Sequence, residues 1–238
     1  MKELSDLRIK IFADGADRAG MLEMYGNPII KGFTTNPTLM RKAGISDYRA
    51  FAKDILAAIP DRPISLEVFA DTADEMERQA CDIATWGTNV FVKVPITNTA
   101  GLSMLPLVAR LSARGVRLNV TALLTLRQVK DTRDAIREGA PCFVSVFAGR
   151  IADTGRDPLP MMEEAVGLLS ETPNAELIWA SPRELLNIVQ ADAIGCHVIT
   201  ATNDILKKLG LLGKDLGEYS LETVRMFRTD AVSAAYKI

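Results

Sequence analysis

Residues 89–96, with the sequence N-V-F-V-K-V-P-I, place a single lysine inside an otherwise apolar run. The β-branched and aromatic residues are typical of a strand, and Pro95 followed by Thr97 ends it. Alternation along a strand puts Phe91, Lys93 and Pro95 on one face. Because desolvation favours the neutral amine, a lysine held there can attack a carbonyl carbon and form a Schiff base. The alternative is a structural lysine that reaches the rim of a sheet or pairs with a carboxylate.

Similar β-rich runs recur about every 25 to 30 residues, and each is followed by an amphipathic stretch with helical periodicity. About eight such repeats in 238 residues are the pattern of a (β/α)8 TIM barrel. A doubly wound sheet is the alternative, but no glycine-rich phosphate-binding loop follows the first run. We predict one α/β barrel domain over residues 1–238, of which about 216–238 form a C-terminal helical extension. The predicted strands are residues 8–14, 29–36, 64–70, 90–96, 116–123, 142–148, 175–181 and 196–203.

The composition argues against several classes of protein. With 48% hydrophobic residues, a net charge of -2 and scattered Lys and Arg, the chain has no basic stripe for nucleic acid. No apolar run is long enough to span a membrane, and the first residues lack the apolar core of a signal peptide, so we expect a cytoplasmic protein. The widely spaced Cys81, Cys142 and Cys196 are predicted to be reduced thiols. His197 is the only histidine, so neither a zinc site nor histidine acid-base chemistry is expected.

Polar side chains are predicted to point into the barrel from several strands. The opposite faces of these strands are aliphatic, as expected where helices cover them. Buried polar groups need partners, and those at the carboxyl ends of barrel strands are where active sites are built. A hydrogen-bonded structural layer is the alternative. The inward sets are Lys10, Phe12 and Asp14; Ser65, Glu67 and Phe69; Arg117, Asn119 and Thr121; and Phe143, Ser145 and Phe147.

Three kinds of group are predicted to converge on Lys93. Asp14 and Glu67 come from different strands, and two carboxylates in different surroundings can divide acid and base work. Amides and hydroxyls suit a polyol, whereas arginines beside a helix N-terminus, here predicted near Pro182, suit an anion. A surface salt bridge is the alternative for either arginine. The neutral groups are Asn36, Asn119, Thr121 and Ser145, and the candidate anion-binding groups are Arg150, Ser181 and Arg183.

These residues stand in six short motifs in order along the chain: F-A-D at 12–14, T-T-N-P at 34–37, V-K-V-P at 92–95, N-V-T at 119–121, S-V-F-A-G-R at 145–150 and A-S-P-R at 180–183. The sequence resembles the transaldolase family, particularly the short members grouped with fructose-6-phosphate aldolase, as far as about Asp230. The resemblance implies a class I aldol mechanism without a cofactor or metal. Its substrates would be sugar phosphates.

The resemblance also implies a role for each residue. Lys93 would form the Schiff base with a ketose, and Asp14 would exchange the proton of the C4 hydroxyl. Glu67 would handle protons through a water shared with Thr121. The three-carbon dihydroxyacetone unit would then pass to an aldose phosphate. The hydroxyls of that unit would be held by Asn36, Asn119 and Ser145, and the phosphate by Arg150, Ser181 and Arg183.

Two positions favour transfer over release of free dihydroxyacetone. Members that act as free aldolases resemble one another in carrying glutamine where Glu67 stands and tyrosine where Phe147 stands, and that tyrosine assists release. Phe147 cannot donate a proton. The sequence departs from the family at Gly15, at Pro182 and at residues 200–203, which leaves the particular sugar phosphate open. An aldolase-type lyase and a non-catalytic sugar-phosphate-binding barrel are the alternative functions.

The C-terminal extension has two interpretations. Its amphipathic start, L-E-T-V-R-M-F at 221–227, can close the bottom of the barrel. In short proteins that resemble this family, such a helix packs on a neighbouring subunit. We therefore expect a homo-oligomer, either pentameric rings or a decamer.

Overall fold

Eight parallel strands close into a barrel in sequence order, in a computed structural model that describes residues 4–237. The predicted (β/α)8 barrel is confirmed, whereas residues 1–3 and 238 of the predicted domain lie outside the described residues. The strands are β1 Lys10–Asp14, β2 Ile30–Thr34, β3 Ile64–Glu67, β4 Val90–Pro95, β5 Leu118–Leu123, β6 Cys142–Val146, β7 Ala175–Trp179 and β8 Val198–Thr202. The helices are α1 Arg18–Tyr25, α2 Pro37–Lys42, α3 Tyr48–Ala58, α4 Ala73–Ala84, α5 Leu105–Ala113, α6 Leu126–Ile136, α7 Ala148–Ala152, α8 Leu159–Leu169, α9 Leu186–Ala193, α10 Asn203–Leu206 and α11 Leu216–Ser233.

Local sequence signals begin and end several of these helices. The Thr125 side chain accepts a hydrogen bond from the backbone of Gln128, whose side chain accepts one from the Thr125 backbone, so a capping box begins α6. Gly115 and Gly195 follow α5 and α9 with φ angles of 83° and 75°. Only glycine adopts that left-handed conformation without a steric penalty, so both helices end where the sequence indicates.

The main core lies between the barrel and its helices. On β4 the side chains of Val90, Val92 and Val94 are buried in this layer, as are Leu66 on β3 and Val144 on β6. These residues alternate with inward-facing ones because successive strand side chains point to opposite faces. The same alternation places Lys93 inside the barrel.

The middle of the barrel is apolar and is filled by rings that were predicted to face inward. Phe12, Phe91 and Phe143 pack there, and the Phe143 ring centroid lies 5.4 Å from that of Phe12 and 4.3 Å from that of Phe91. Barrels are filled by layers of side chains, so bulky rings on three strands complete one layer. We call this layer, with Ile178, Ala180 and Val198, the aromatic plug.

Ionic groups lie below the aromatic plug, at the amino ends of the strands. Lys10 forms an exposed ion pair with Glu176 at 2.7 Å, and the Arg117 guanidinium carbon lies 5.4 Å from the centre of the Phe91 ring. A Cβ atom on Gly32 would come within 2.6 Å of the Phe12 ring. Glycine at that position of β2 therefore makes room for the plug.

Phe69 lies outside the barrel, contrary to its predicted inward position. The side chain is 48% exposed and packs on Tyr48, with ring centroids 4.6 Å apart. The reason is that β3 ends at Glu67, so strand alternation no longer applies two residues later.

Helix α11 does not close the bottom of the barrel, because none of its residues is buried. It presents a series of exposed apolar side chains, which we call the α11 apolar surface. The surface consists of Leu216, Tyr219, Leu221, Val224, Met226, Phe227 and Val232.

Among the described residues, no helix has the length and apolar character needed to cross a membrane.

The cysteines are free thiols, as predicted. Cys142 and Cys196 are buried, and Cys81 is half-buried. Burial raises the pKa of the Cys142 and Cys196 thiols to about 12, because the apolar surroundings disfavour the thiolate. Both residues therefore serve as core packing groups.

We predict that His197 makes the free energy of unfolding fall on acidification. Its Nδ1 accepts a hydrogen bond from the Leu177 backbone at 3.1 Å, and burial lowers its pKa from 6.5, with Lys10 adding to the effect and Glu176 opposing it. Because the unfolded chain then binds the proton more readily, this contribution to stability is present above about pH 6.5 and is lost as the pH falls towards the folded pKa. In His197→Asn the amide oxygen can replace the acceptor but cannot titrate.

Urea unfolding of wild type and His197→Asn at several pH values between about 5 and 8 measures this effect. We expect the variant to lose less stability than the wild type on acidification. Identical losses in the two proteins would contradict the assignment.

Candidate active site

A cavity of about 580 Å³ opens at the carboxyl ends of the barrel strands. Ten of the eleven predicted site residues line it, the exception being Asn119. The aromatic plug lies beneath, so the cavity is reached from one end of the barrel. The predicted residues that line it are Asp14, Asn36, Glu67, Lys93, Thr121, Ser145, Phe147, Arg150, Ser181 and Arg183.

Lys93 is 7% exposed and points into the barrel rather than out to its rim. Its Nζ donates a hydrogen bond to the Thr35 carbonyl at 2.9 Å and lies 3.1 Å from Oε2 of Glu67. Strand register brings the pair together, because Glu67 on β3 is the partner of Lys93 on β4. The lysine therefore pairs with a carboxylate, as the structural interpretation required, but inside the cavity.

Asp14 ends β1 on the opposite side of the cavity. The pKa of its carboxyl is raised, chiefly because burial disfavours the charged form. The charge of Lys93 and a hydrogen bond from Thr34 oppose this effect, and the charge of Glu67 adds to it. The Thr34 hydroxyl donates to Oδ1 at 2.8 Å. A carboxyl with a raised pKa takes up and returns a proton more readily than an ordinary aspartate.

A row of buried polar groups lies beside Lys93. The Ser145 hydroxyl donates to Oδ1 of Asn119 at 2.7 Å, and Nδ2 of Asn119 donates to the Ser65 hydroxyl at 2.9 Å. Asn119 is fully buried and adjoins Lys93 in the strand register. It holds Ser145 at the cavity surface, and its predicted contact with substrate hydroxyls stays a prediction.

Thr121 contributes a hydroxyl that has no hydrogen-bond partner among the described residues. It follows Val120 at a register irregularity in β5, and Ala122 next to it has a φ of 65°. A buried hydroxyl without a partner costs free energy, so it is suited to bind a water or a substrate group in the cavity.

Asn36 combines a structural and an available polar group. Its Oδ1 accepts a hydrogen bond from the Leu39 backbone at 3.0 Å and thereby begins α2. Its Nδ2 makes no hydrogen bond to the other described residues. The amide therefore presents a donor from a fixed position.

Arg183 is held in place by other protein groups. Its Nε donates to Asp153 at 2.8 Å, Nη2 donates to the same carboxylate, and Nη1 donates to the carbonyl and hydroxyl of Ser181 at 3.0 and 2.9 Å. Ser181 has a φ of 61°, and a Cβ atom on Gly149 would approach its carbonyl oxygen to 1.6 Å. Glycine at position 149 is therefore required for this contact.

Arg150 is the more available cation. Its guanidinium carbon lies 5.6 Å from the centre of the Phe147 ring, and the guanidinium makes no hydrogen bond or ion pair to the other described residues. Its five donors can therefore reach an anion in the cavity, whereas the carboxylate of Asp153 competes for Arg183.

The predicted helix N-terminus near Pro182 is absent, because α9 begins at Leu186. The backbone N–H groups of Arg183 and Glu184 instead donate to Oδ1 of Asn187 at 2.8 and 3.1 Å. The left-handed conformation of Ser181 turns the chain before this segment, so the helix starts later.

Sequence reasoning missed several residues of the site. Thr34 and Thr35 belong to the quoted T-T-N-P motif, but nothing in their type indicated a contact with Asp14 or Lys93. Asp153 stands in the loop between α7 and α8 and carries no local signal. The cavity-lining residues that were not predicted include Thr34, Thr200, Thr202 and Asp204.

The arrangement combines one buried amine, three carboxylates, several hydroxyl and amide groups, and two arginines. Within residues 4–237, no group of three or more His, Cys, Asp or Glu residues could hold a metal ion. The amine and the carboxylates are suited to nucleophilic and proton-transfer chemistry, and the arginines are suited to bind an anion.

Solved structures with similar architecture support the fold alone. A structure titled a putative phosphonomutase from Burkholderia cenocepacia superposes with a TM-score of 0.57 at 9% identity, covering 94% of this chain and 94% of that one. A 3-hexulose-6-phosphate synthase from Salmonella typhimurium gives 0.57 at 13% identity, covering 84% and 91%.

Sequence comparison is more specific. Residues 11–238 match the family described as Transaldolase/Fructose-6-phosphate aldolase. A protein named probable transaldolase from Dehalococcoides mccartyi is 34% identical over 202 residues, which cover 84% of this chain and 90% of the relative. One of the same name from a Thermoanaerobacter species is also 34% identical over 202 residues, covering 84% and 89%. The chain therefore belongs to the transaldolase/fructose-6-phosphate aldolase family.

Proposed function

We propose that the protein is a class I transaldolase, which transfers a dihydroxyacetone unit from a ketose phosphate to an aldose phosphate. Fructose 6-phosphate and sedoheptulose 7-phosphate are the proposed donors. The observation that carries the proposal is the amine of Lys93, buried at the cavity between the Thr35 carbonyl and the Glu67 carboxylate. The names of the relatives agree with this activity.

The two contacts of Lys93 support its role as the nucleophile. A neutral amine has two hydrogens and one lone pair. If the two amine hydrogens are donated to the Thr35 carbonyl and to Glu67, the lone pair points in a direction that neither contact occupies. The side chain lines the cavity. The fixed contacts therefore pre-orient the amine for attack on a ketose carbonyl.

Water must leave when the attack product becomes the Schiff base. Glu67 and Thr121 both line the cavity, and the Thr121 hydroxyl has no partner among the described residues. We assign to Glu67 and Thr121 the role of holding a water molecule through which protons move in this step. Glu67 is suited to the task because its carboxylate already lies 3.1 Å from the reacting nitrogen.

Asp14 then removes the proton of the C4 hydroxyl. As that O–H bond breaks, a carbonyl forms at C4, and the electrons of the C3–C4 bond move into the positively charged imine to give an enamine. The aldose phosphate product leaves, and an acceptor aldehyde enters for the reverse sequence. The raised pKa of Asp14 supports this exchange because the residue must both take and return the proton.

The remaining groups bind the substrate. We assign the hydroxyls of the three-carbon unit to Asn36 and Ser145, with Asn119 holding Ser145 in position. The phosphate is assigned to Arg150 together with Ser181 and Arg183. Arg150 carries most of this role in our proposal, because Arg183 is already paired with Asp153.

Lys93→Met should abolish covalent trapping of the donor. Borohydride reduces a Schiff base to a stable amine, so incubation with fructose 6-phosphate should add mass to the peptide that contains Lys93. The variant has no amine at this position, and its transfer rate should fall on the order of 10³-fold or more. Intact-protein and peptide mass spectrometry provide the measurement.

The matched control is Lys130→Met, which removes an exposed lysine on α6 that lies outside the cavity. It should retain both the adduct and the activity. If the wild type forms no adduct at saturating donor, the proposal fails and a non-catalytic sugar-phosphate-binding barrel becomes the better interpretation.

Phe147→Tyr should increase release of free dihydroxyacetone. Phe147 lines the cavity and has no proton to donate, so the enamine should persist until an acceptor arrives. A phenol there can protonate it, and release without acceptor should rise about 10-fold or more. Glyceraldehyde 3-phosphate is measured from fructose 6-phosphate with and without erythrose 4-phosphate.

Phe69→Tyr adds the same hydroxyl to an exposed ring outside the barrel and serves as the control. Wild type and Phe69→Tyr should form product only when the acceptor is present. Product from the wild type without acceptor would instead identify an aldolase-type lyase.

We further propose that the protein is a homo-oligomer, either pentameric rings or a decamer, in which the α11 apolar surface packs on a neighbouring copy. The support is that none of the 18 residues of α11 is buried in the single chain. Light scattering should give five or ten times 25.9 kDa for the wild type and a smaller mass for Val224→Ser/Phe227→Ser. Arg225→Gln on the same helix is the control, and a monomeric wild type would refute the proposal.

A further inference from the structure

Thr200 connects to Asp14 through a second hydroxyl. It lies on β8, is 5% exposed and lines the cavity. Its Oγ1 is 2.6 Å from Oγ1 of Thr34, and Thr34 Oγ1 is 2.8 Å from Oδ1 of Asp14. The two threonines and the aspartate come from β8, β2 and β1, which are neighbours in the barrel.

The number of hydrogens fixes the direction of this chain. An ionised carboxylate only accepts, so the single hydrogen of the Thr34 hydroxyl is used on Asp14. Thr34 then accepts in its contact with Thr200, and the Thr200 hydroxyl is the donor. With Asp14 ionised, Thr200 therefore presents only lone pairs to the cavity.

We propose that Thr200 is a positioning residue that acts through Thr34 to stabilise the ionised form of Asp14 and to hold its carboxylate in place. Donation from Thr200 polarises the Thr34 O–H bond, and the stronger donor then binds the carboxylate more tightly. The catalytic significance of this chain rests on the proposed function, whereas its effect on Asp14 does not.

The chain also couples the proton on Asp14 to the polarity of the cavity surface. If Asp14 carries its proton on Oδ1, that hydrogen can bond to Thr34, which can donate to Thr200, which can donate into the cavity. Towards the cavity, the Thr200 hydroxyl therefore acts as an acceptor when Asp14 is ionised and as a donor when Asp14 is protonated. No bond to carbon changes in this rearrangement, because only hydroxyl rotation and the one transferred proton are involved.

Other charges also face Asp14 and must stay constant in a test. Lys93 from β4 and Glu67 from β3 act on it directly. Asp17, Lys42 and Asp204 line a smaller neighbouring cavity of about 410 Å³ together with Asp14. Thr200→Val alters none of these charges and nearly preserves the side-chain shape, so a change at Asp14 is attributable to the lost hydroxyl.

The test is a titration of the Asp14 carboxyl by ¹³C NMR, with its resonance assigned from its absence in Asp14→Asn. Thr200→Val should shift the Asp14 titration to higher pH than in the wild type, because the carboxylate loses stabilisation. Thr200→Ser keeps the hydroxyl and should restore the wild-type titration. Thr132→Val removes a fully buried hydroxyl outside the cavity and should have no effect.

Activity provides a second measurement. In Thr200→Val the acidic limb of the transfer rate should move to higher pH, and turnover should fall about fivefold to tenfold with little change in KM, in line with one weakened hydrogen bond. Thr200→Ala replaces Thr200→Val if the latter does not fold. The inference is overturned if the Asp14 titration is unshifted in Thr200→Val, or in Thr200→Ala where that variant replaces it. An equal shift of the Asp14 titration in Thr200→Ser also overturns it.

The two proposals fail in different ways. A shifted titration in Thr200→Val without Schiff-base trapping in the wild type would support the hydroxyl chain and refute the transaldolase function. Trapping in the wild type with an unchanged titration in the variant would refute the hydroxyl chain alone.

Discussion

The pairing of the Lys93 amine with Glu67 inside the barrel is the constraint on which the site depends. A charged amine in a poorly solvated interior is costly unless a carboxylate and further acceptors surround it. Here Glu67 comes from the adjacent strand and the Thr35 carbonyl from the residue that follows β2, so the closed barrel holds the backbone of both partners in place. The same two contacts stabilise the buried lysine and orient it towards the cavity.

The aromatic plug separates this pair from the ionic groups at the amino ends of the strands. Phe12 and Asp14 share the inward face of β1, as Phe91 and Lys93 share that of β4, so each strand contributes one ring and one reactive group. The rings fill the middle of the barrel, and the polar layer above them lines the cavity. Packing residues and cavity-lining residues thus alternate along the inward face of the same strands.

The two arginines illustrate how tertiary contacts divide residues of one type. Arg183 is anchored by Asp153 and Ser181, and the turn that positions it needs Gly149. Arg150 has no such anchor among the described residues, so its guanidinium remains available to an anion. The salt bridge, which was one of the two alternatives for each arginine in the sequence, is therefore formed by Arg183, and anion binding by Arg150 stays a prediction.

The sequence by itself determined the barrel, its inward-facing alternation and ten of the residues that line the cavity, because strand period and motif order are local properties of the chain. The cytoplasmic location expected from the sequence stays a prediction. Only the tertiary structure decided which groups touch. The Thr34–Thr200 contact, the anchoring of Arg183 and the burial of Asn119 beneath the cavity join strands and loops far apart in the chain. Their distances follow from barrel closure and register, which no local pattern specifies.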